Sequence, residues 1–506
     1  MTKKNKRIIS IVFAVIFGIV FAAAATIYVV CDWINTAYCI SFNELLYTMA
    51  LPLEGTANSV FETGVRSCAP KVIAAVLLYC GAAYLLLQKK VKVNVLGTFL
   101  KKDFKLNFLS LLRKVGALGC IIALLSSCIF VENSLDISGY MASLSERTYI
   151  YEMYYVDPHN VKITAPEKKK NIIYLYVESL ETTYASKAVG GAQETNNYIP
   201  KLTQLAQEYT SFSNSDKLGG FHTMHGATWT MGAILATTVG IPYAFPVDQY
   251  SADLDSNFAA GITSLGDILD AEGYNQEFLC GSESGFAGKK DYLTRHGNYE
   301  VFDYFTAVEK GYVPEGRYVW WGYEDSILFK IAKDEARRLA AENEPFNLTI
   351  LTVDTHHLGG YYCSECGTQY ETGIENVIAC TDNQVYNFVK WCETQSFFED
   401  TVIVITGDHP RMDTLLVDGI SMYDRTIYNC FINSFAKPSN TKNREFTTVD
   451  MFPTVLAAMG FTIEGNRLGI GTNVFSATPT LAERKGCDWI EAELAKNSDF
   501  YVKKSS

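Results

Sequence analysis

The strongest constraint on this chain is a set of three long, uncharged apolar runs within its first 131 residues. They cover about residues 8–30, 72–88 and 115–131, and charged residues stand at their ends. Only the first run reaches the roughly 20 residues that span a bilayer as a helix. The two shorter runs can also span one, because flanking lysine and arginine side chains reach toward the headgroups. We therefore predict three transmembrane helices in residues 1–131; buried core helices are the alternative for the shorter runs.

The basic residues around these runs predict their orientation. The segment before the first run and the loop between the second and third are both basic, which places them in the cytoplasm. An odd number of spans then puts the residues after 131 outside, on a multi-pass protein of the plasma (inner) membrane. A cleaved signal peptide is the alternative for the first run, but Cys31-Asp32-Trp33 is a poor cleavage site. The basic residues are Lys3, Lys4, Lys6, Arg7, Lys89, Lys90, Lys92, Lys101, Lys102, Lys105, Arg113 and Lys114.

The rest of the chain is long enough for a separate domain. With 506 residues in total, the chain exceeds the roughly 300 residues that one hydrophobic core usually holds. We predict an extracytoplasmic linker over 132–170, a catalytic domain over 171–475 and a C-terminal tail over 476–506. The net charge of −12, without a basic cluster beyond residue 170, argues against a nucleic-acid partner.

The pattern after residue 170 predicts an α/β fold. Residues 171–177, 346–353 and 401–406 are continuous apolar, β-rich runs. Such runs are typical of strands buried on both faces of a mainly parallel sheet. Residues 264–272 and 324–342 have the apolar spacing of helices. We therefore predict an α/β sandwich with a mainly parallel central sheet.

Polar residues directly follow the three predicted strands. They are Glu178-Ser179, Asp354-Thr355-His356-His357 and Gly407-Asp408-His409-Pro410. One such carboxylate would be read as a turn or helix-capping residue. In a parallel sheet, however, ligands gather at the carboxyl ends of the strands, and carboxylates with imidazoles suit a divalent metal such as zinc or manganese. We favour a metal site at this edge.

A candidate nucleophile lies between the first two of these strands. Residues 226–242 read as a loop that leads into a helix ending at Gly240. A hydroxyl at a helix N-terminus faces free N–H groups and the positive end of the helix dipole, which would hold a phosphate. A simple N-cap is the alternative. Together with the metal residues, the segment favours a nucleophile, with Thr228 and Thr230 as the two candidates.

The spacing of Cys363 and Cys366 leaves three alternatives open. A Cys-x-x-Cys pair can be a tight disulfide, half of a zinc site or two free thiols. A second pair of this kind does not occur in the chain. We therefore favour a structural role for these cysteines.

The order of these motifs resembles the alkaline-phosphatase and sulfatase superfamily, and more narrowly the lipoteichoic acid synthase and phosphoglycerol transferase I family. The resemblance covers about residues 171–475 and includes the closing segment Thr448-Val449-Asp450-Met451-Phe452-Pro453. It implies a sulfatase-like domain in which one divalent metal, usually manganese or magnesium with zinc as another candidate, contacts a nucleophilic threonine. The family spacing to Gly240 favours Thr230 over Thr228. The implied metal ligands are Glu178, Thr230, Asp408 and His409.

The resemblance also implies a substrate pocket. His356 matches the family histidine that holds the glycerol phosphate, and Phe286-Ala287-Gly288-Lys289 resembles the aromatic and basic loop over the phosphate. Lys289 stands where the lipoteichoic acid synthases carry arginine nearby. Because lysine is a point charge and arginine a forked donor of two hydrogen bonds, the identity of the bound headgroup is left open. An ordinary surface lysine is the alternative for Lys289.

The function that the resemblance implies is transfer of glycerol phosphate from phosphatidylglycerol to an envelope polymer, glycolipid or glycan, through a covalent threonine intermediate. Other members of the superfamily are alternatives: a phosphoethanolamine transferase, a sulfatase or a phosphodiesterase. A sulfatase is disfavoured, because Thr230 cannot be oxidised to formylglycine and the chain lacks a Cys-x-Pro-x-Arg motif. A non-catalytic envelope binding module is the last alternative, which the complete residue set argues against.

Overall fold

The computed structural model describes residues 3–38, 42, 45–46, 58–87, 108–244 and 260–504. The chain divides into two compact units, one of residues 1–42 and 58–140 and the other of residues 43–57 and 141–506. The predicted basic loop between the second and third apolar runs (88–107) lies outside the described residues.

The first unit consists of three long apolar helices, α1 (Lys3–Tyr38), α2 (Asn58–Leu87) and α3 (Phe108–Leu135). Their stretches of membrane-spanning length and composition are Ile8–Tyr38, Glu62–Leu87 and Arg113–Leu135. Each exceeds its apolar run, because the flanking residues continue the helix. Most of their apolar side chains are exposed rather than packed in a core, which excludes buried core helices and identifies a membrane protein.

Hydrogen bonds link the three helices through polar side chains that would otherwise face an apolar environment. The Tyr79 hydroxyl of α2 donates to the carbonyl of Ala14 in α1 at 2.7 Å. The Ser127 hydroxyl of α3 donates to the carbonyl of Ala24 in α1 at 3.0 Å. Helix α1 is therefore the element against which the other two pack.

The second unit is built on a six-stranded sheet with the order β5-β4-β6-β2-β7-β9. All neighbours are parallel except β9, which pairs antiparallel with β7. Three two-stranded antiparallel pairs, β1–β10, β3–β8 and β11–β12, complete the strands of the described residues. The strands are β1 (Ile163–Thr164), β2 (Asn171–Val177), β3 (Phe221–His222), β4 (Asn275–Cys280), β5 (Glu300–Phe302), β6 (Phe346–Leu351), β7 (Thr401–Gly407), β8 (Thr426–Ile427), β9 (Asn429–Ile432), β10 (Thr462–Ile463), β11 (Arg467–Leu468) and β12 (Gly471–Thr472).

Helices cover both faces of the sheet. Alternate residues of β2 point to opposite faces: Ile172 and Tyr174 join one hydrophobic cluster, and Ile173 and Leu175 join the other. The described α-helices after α3 are α4 (Ile137–Ser145), α5 (Ile150–Tyr154), α6 (Pro200–Glu208), α7 (Thr230–Val239), α8 (Leu265–Ala271), α9 (Lys289–Arg295), α10 (Tyr304–Glu309), α11 (Asp325–Ala341), α12 (Gly373–Cys392), α13 (Met451–Ala458), α14 (Leu481–Lys485), α15 (Cys487–Leu494) and α16 (Phe500–Lys504). This architecture is the predicted α/β sandwich with a mainly parallel sheet, and the prediction is confirmed.

Two segments outside the predicted domain limits also belong to its core. In the segment predicted as a linker (132–170), Ile150 and Tyr151 are buried, and β1 pairs with β10. In the predicted tail (476–506), Leu481 and Tyr501 are buried in the same hydrophobic cluster. Both segments carry apolar and aromatic side chains, whose burial stabilises the fold more than exposure would. The packed unit is therefore larger than residues 171–475.

Candidate active site

The residues that follow β2 and β7 meet at one edge of the sheet. The two strands are parallel neighbours whose last residues, Val177 and Gly407, are paired. Glu178 and Asp408 therefore leave the sheet side by side, and His409 follows. All three are buried, with exposed fractions of 2%, 0% and 1%.

Polar atoms of four side chains converge there at nearly equal distances. Thr230 Oγ1 lies 3.4 Å from both Glu178 Oε2 and His409 Nε2. His409 Nε2 lies 3.5 Å from Glu178 Oε1 and 3.4 Å from Asp408 Oδ2. Nitrogen and oxygen ligands held about 2.0–2.2 Å from one ion in a tetrahedron lie about 3.3–3.6 Å apart. The spacing of these four side chains is that of ligands around a single ion.

The surrounding hydrogen bonds hold this arrangement. Asp408 Oδ1 accepts hydrogen bonds from the backbone N–H groups of Ser179 and His409, both at 2.8 Å. His409 Nδ1 lies 2.8 Å from the carbonyl of Pro410, so that nitrogen carries the proton and donates. Nε2 is then the nitrogen that offers a lone pair to the cluster.

The two buried carboxylates of the cluster favour binding of a cation. Burial, and then the nearby Glu178 carboxylate, raises the pKa of Asp408 to about 7. Burial lowers the pKa of His409, but the Asp408 and Glu178 carboxylates outweigh that effect and raise the pKa overall. Asp408 Oδ2 is buried without a hydrogen-bond partner among the described residues. An orphaned carboxylate oxygen, a second carboxylate and an imidazole lone pair are a donor set that fits a divalent metal.

The structure separates the two candidate threonines. Thr230 is the first residue of α7, a helix that ends at Gly240 with a φ of 74°. Thr230 is partly exposed, and its hydroxyl contacts two members of the cluster. Thr228 lies before the helix begins and is 1% exposed. Thr230 is thus the less buried of the two threonines, and its hydroxyl is adjacent to the candidate metal residues.

The predicted substrate residues are joined through Trp321. The Trp321 ring lies 4.6 Å from the His356 ring and 5.6 Å from the Phe286 ring, measured between centroids. Lys289 Nζ lies 5.0 Å from the centroid of Phe286 and donates to the Phe286 carbonyl at 2.7 Å. Trp321, which the motifs alone left without a role, connects the two predicted parts of the pocket.

Burial shifts the pKa values of Lys289 and His356 away from those of exposed side chains. Lys289 is only 4% exposed, which excludes an ordinary surface lysine. Burial lowers the pKa of Lys289, and the charge of Glu178 partly offsets that effect. Burial lowers the pKa of His356 to about 4, so its imidazole is neutral at neutral pH. His356 Nδ1 lies 2.6 Å from the His357 carbonyl and is therefore protonated, which leaves Nε2 as a hydrogen-bond acceptor.

A buried ionic network, which the sequence analysis missed, holds the loops that carry the site. Arg411 is fully buried, pairs with both oxygens of Asp413 at 2.5 Å and donates to the Thr355 carbonyl at 2.9 Å. Glu181 accepts from the Arg411 backbone N–H at 2.9 Å and from Arg425 at 2.8 Å. The network ties the loop after β7 to the loop after β6. The position of Arg411, two residues after His409, was the available signal.

A second buried carboxylate pair orients the loop after β6. Asp325 accepts from the backbone N–H groups of Val353 at 2.7 Å and Asp354 at 3.0 Å. Asp354 accepts in return from the Asp325 backbone N–H at 3.2 Å. Burial, and then the charge of Asp325, raises the pKa of Asp354 to about 10. Burial also raises the pKa of Asp325, to about 7, so Asp354 is the member of the pair that keeps its proton to the higher pH.

We expect the two substitutions of this pair to differ. Asp325→Asn should lower the free energy of unfolding by about 1–3 kcal/mol, because an amide offers one acceptor oxygen for two buried N–H groups. Asp354→Asn should change it by less than about 1 kcal/mol, since the carboxyl it replaces is already neutral. The raised pKa means that the folded state keeps a proton that the unfolded chain loses above pH ~4, so stability falls as pH rises. The free energy of unfolding of the full chain in detergent should fall less steeply with pH in Asp354→Asn than in the wild type. Equal effects of both substitutions would contradict this assignment.

The sulfatase family model matches residues 170–461 of this chain. The phosphoglycerol transferase I of Xanthomonas axonopodis pv. citri is 31% identical over 296 residues, covering 57% of this chain and 40% of that protein. Its namesake from Escherichia coli is 30% identical over 336 residues, covering 64% of this chain and 41% of that protein. The chain thus spans about two fifths of the length of these relatives. Among solved structures, the lipoteichoic acid synthase LtaP from Listeria monocytogenes is 16% identical, with a TM-score of 0.49, covering 64% of this chain and 80% of that chain.

Proposed function

The chain belongs to the sulfatase family, and from this premise we propose that it is a membrane-bound phosphoglycerol transferase. The proposed donor is phosphatidylglycerol, and the acceptor is a hydroxyl of an envelope polymer, glycolipid or glycan. The observation that carries the proposal is the Thr230 hydroxyl, 3.4 Å from both Glu178 Oε2 and His409 Nε2 at the start of a helix. The similarity to two phosphoglycerol transferase I proteins supports this choice of reaction.

The proposed arrangement in the cell follows from the apolar helices and the flanking charge. Residues 1–131 anchor the chain through three spans, with the basic segments in the cytoplasm. The domain that includes residues 171–475 then lies outside the cytoplasm, where envelope acceptors are found. Membrane attachment keeps the enzyme on the surface that contains its lipid donor.

Glu178, Asp408, His409 and Thr230 would hold one divalent metal, for which we propose manganese, with magnesium and zinc as the alternatives. When bound, such a metal lowers the pKa of an oxygen ligand and offsets negative charge. The residues of the chain supply the rest. Glu178 and His409 contact the Thr230 hydroxyl and hold it at one position, and helix α7 directs its free N–H groups toward an incoming phosphate.

The proposed reaction has two steps at Thr230. In the first, Thr230 Oγ1 attacks the phosphorus of phosphatidylglycerol, the bond from phosphorus to the diacylglycerol oxygen breaks, and diacylglycerol leaves with the proton. The product is a glycerophosphate ester of Thr230. In the second step, an acceptor hydroxyl attacks phosphorus, the bond to Thr230 breaks, and the proton of the acceptor returns to the threonine. Splitting one displacement into two is the general advantage of covalent catalysis.

Lys289 and His356 have different proposed tasks. The Lys289 ammonium, buried beside the site, stabilises the negative charge that develops on the phosphoryl oxygens. The neutral His356 imidazole accepts a hydrogen bond through Nε2, which suits a hydroxyl of the glycerol headgroup. This division follows from the chemistry of the two side chains, since an amine donates hydrogen bonds to phosphoryl oxygens and the neutral His356 imidazole has one acceptor nitrogen.

We predict that Lys289→Met lowers kcat for transfer by about 10²–10³-fold, the usual cost of removing one group that stabilises developing charge. Lys290→Met is the matched control, because the neighbouring Lys290 is exposed and should leave kcat unchanged. Initial rates of diacylglycerol release, measured in detergent, give both values. Similar losses in the two variants would contradict a specific role for Lys289.

The identity of the donor is tested by incubating the detergent-purified full chain with manganese and one lipid at a time. We expect diacylglycerol release and a glycerophosphate adduct by intact-mass spectrometry with phosphatidylglycerol, and neither with phosphatidylethanolamine. The reverse result would identify a phosphoethanolamine transferase. Absence of reaction with both lipids would favour the non-catalytic binding module, and hydrolysis of soluble esters alone would favour a phosphodiesterase.

A further inference from the structure

Three cysteine side chains converge beside the loop that follows β6. Cys363 and Cys366 lie in that loop, and Cys380 lies on helix α12. Cys363 Sγ is 3.6 Å from Cys366 Sγ and 3.8 Å from Cys380 Sγ. Cys363 and Cys380 are buried, with exposed fractions of 2% and 6%, and Cys366 is partly buried. This thiol cluster shares no residue with the site at Glu178.

The chemistry and spacing of the thiol cluster fit a metal better than a disulfide. Two residues between Cys363 and Cys366 is a spacing common in zinc sites. Thiolates bound to one zinc ion at about 2.3 Å in a tetrahedron lie about 3.8 Å apart, close to the observed distances. The sulfur atoms of a disulfide are only about 2.05 Å apart, and one disulfide would leave the third buried thiol unpaired.

A buried side-chain amide lies beside the thiol cluster. Gln384 follows Cys380 by one helical turn, and its Nε2 is 4.0 Å from Cys363 Sγ and 3.2 Å from Glu365 Oε2. Gln384 is 8% exposed, and its Oε1 has no hydrogen-bond partner among the described residues. A buried amide oxygen without a partner is costly unless it is satisfied by a ligand.

We propose that Cys363, Cys366 and Cys380 bind one structural zinc ion, with the Gln384 amide, turned so that its oxygen faces the thiols, as the fourth ligand. The ion ties the loop after β6 to helix α12. That loop also contains His356 and is already closed by a hydrogen bond from the Tyr361 N–H to the Asp354 carbonyl at 2.7 Å. The zinc therefore stabilises the loop that presents His356, and its presence does not depend on the reaction proposed above.

The test measures metal binding in the full chain purified in detergent. The parent protein for this test is the full chain with Asp408→Asn, which removes a ligand from the other candidate metal site. Every cysteine variant is made in this parent. The reduced, metal-free protein is titrated with cobalt(II) alone and then with zinc(II) alone. We expect thiolate-to-cobalt absorption that saturates at about one equivalent and is displaced by zinc.

Cysteine variants distinguish the thiol cluster from other thiols. Cys366→Ser replaces the least buried of the three cysteines and should weaken cobalt binding at least about 10-fold. Cys392→Ser is the matched control, because Cys392 is a buried thiol at the end of the same helix and outside the thiol cluster. We expect it to bind cobalt as the parent does.

A second measurement keeps the proposal falsifiable if Cys366→Ser fails to fold. In the folded, zinc-loaded parent protein, the three thiols should resist alkylation until a chelator is added. After chelation and denaturation, peptide mass spectrometry should show all three thiols alkylated. Alkylation at the same rate with and without chelator would overturn the proposal. An internal disulfide among the three cysteines in the freshly purified protein, or a titration without thiolate-to-cobalt absorption, would also overturn it.

Discussion

Thr230→Ala is expected to abolish the adduct with the donor lipid and to reduce transfer by at least about 10⁴-fold, as removal of a nucleophile does in enzymes that form covalent intermediates. The reason is geometric. Thr230 Oγ1 lies within 3.4 Å of Glu178 Oε2 and His409 Nε2, and an alanine has no atom that could attack phosphorus. Intact-mass spectrometry after incubation with phosphatidylglycerol and manganese measures the adduct, and diacylglycerol release measures turnover.

Thr228→Ala is the matched control for this experiment. It removes the hydroxyl of Thr228, a threonine two residues before Thr230 that is 1% exposed and precedes α7. We expect the adduct to persist in Thr228→Ala. An adduct that persists in Thr230→Ala and disappears in Thr228→Ala would reassign the nucleophile, and persistence in both variants would show that neither threonine is the site of attachment.

Asp408→Asn is the second substitution with a large expected effect. It keeps the shape of the side chain and an oxygen for the N–H groups of Ser179 and His409. The group that faces His409 Nε2 at 3.4 Å, however, becomes an amide that donates a hydrogen bond instead of a carboxylate that binds a metal. Outer residues of metal sites already change affinity by about 10–100-fold, so loss of a direct ligand should weaken binding at least about 100-fold and abolish transfer.

The stability of this variant gives a readout independent of activity. A metal that binds only the folded state raises the melting temperature, so added manganese should raise the melting temperature of the wild-type chain and leave that of Asp408→Asn unchanged. Without manganese, the variant should be at least as stable as the wild type, because only one of two facing buried carboxylates remains. Asp382→Asn, another buried carboxylate, is the control and should keep the response to manganese. An equal response in Asp408→Asn and the wild type would contradict a metal at this position.

The partners of the buried Arg411 could not be predicted from the sequence motifs. Glu178 and Asp408 could be placed at one sheet edge because each directly follows a strand. Arg411 donates to Asp413, two residues away, and to the carbonyl of Thr355, which lies on another loop. A buried arginine is stable only when its donors are paired, and the sequence does not state which loops approach closely enough to pair them.

The sequence by itself determined the three apolar spans, the parallel strands and the polar residues at their ends. These features depend on local patterns, since strands buried on both faces are continuously apolar and membrane-crossing helices need long uncharged runs. Only the tertiary structure decided that the Thr230 hydroxyl lies 3.4 Å from Glu178 Oε2, that Lys289 is buried, and that Cys380 joins Cys363 and Cys366. These facts depend on the rotation of α7 and on contacts between segments far apart in the chain. Such contacts are set by the packing of the whole core, which local patterns do not encode.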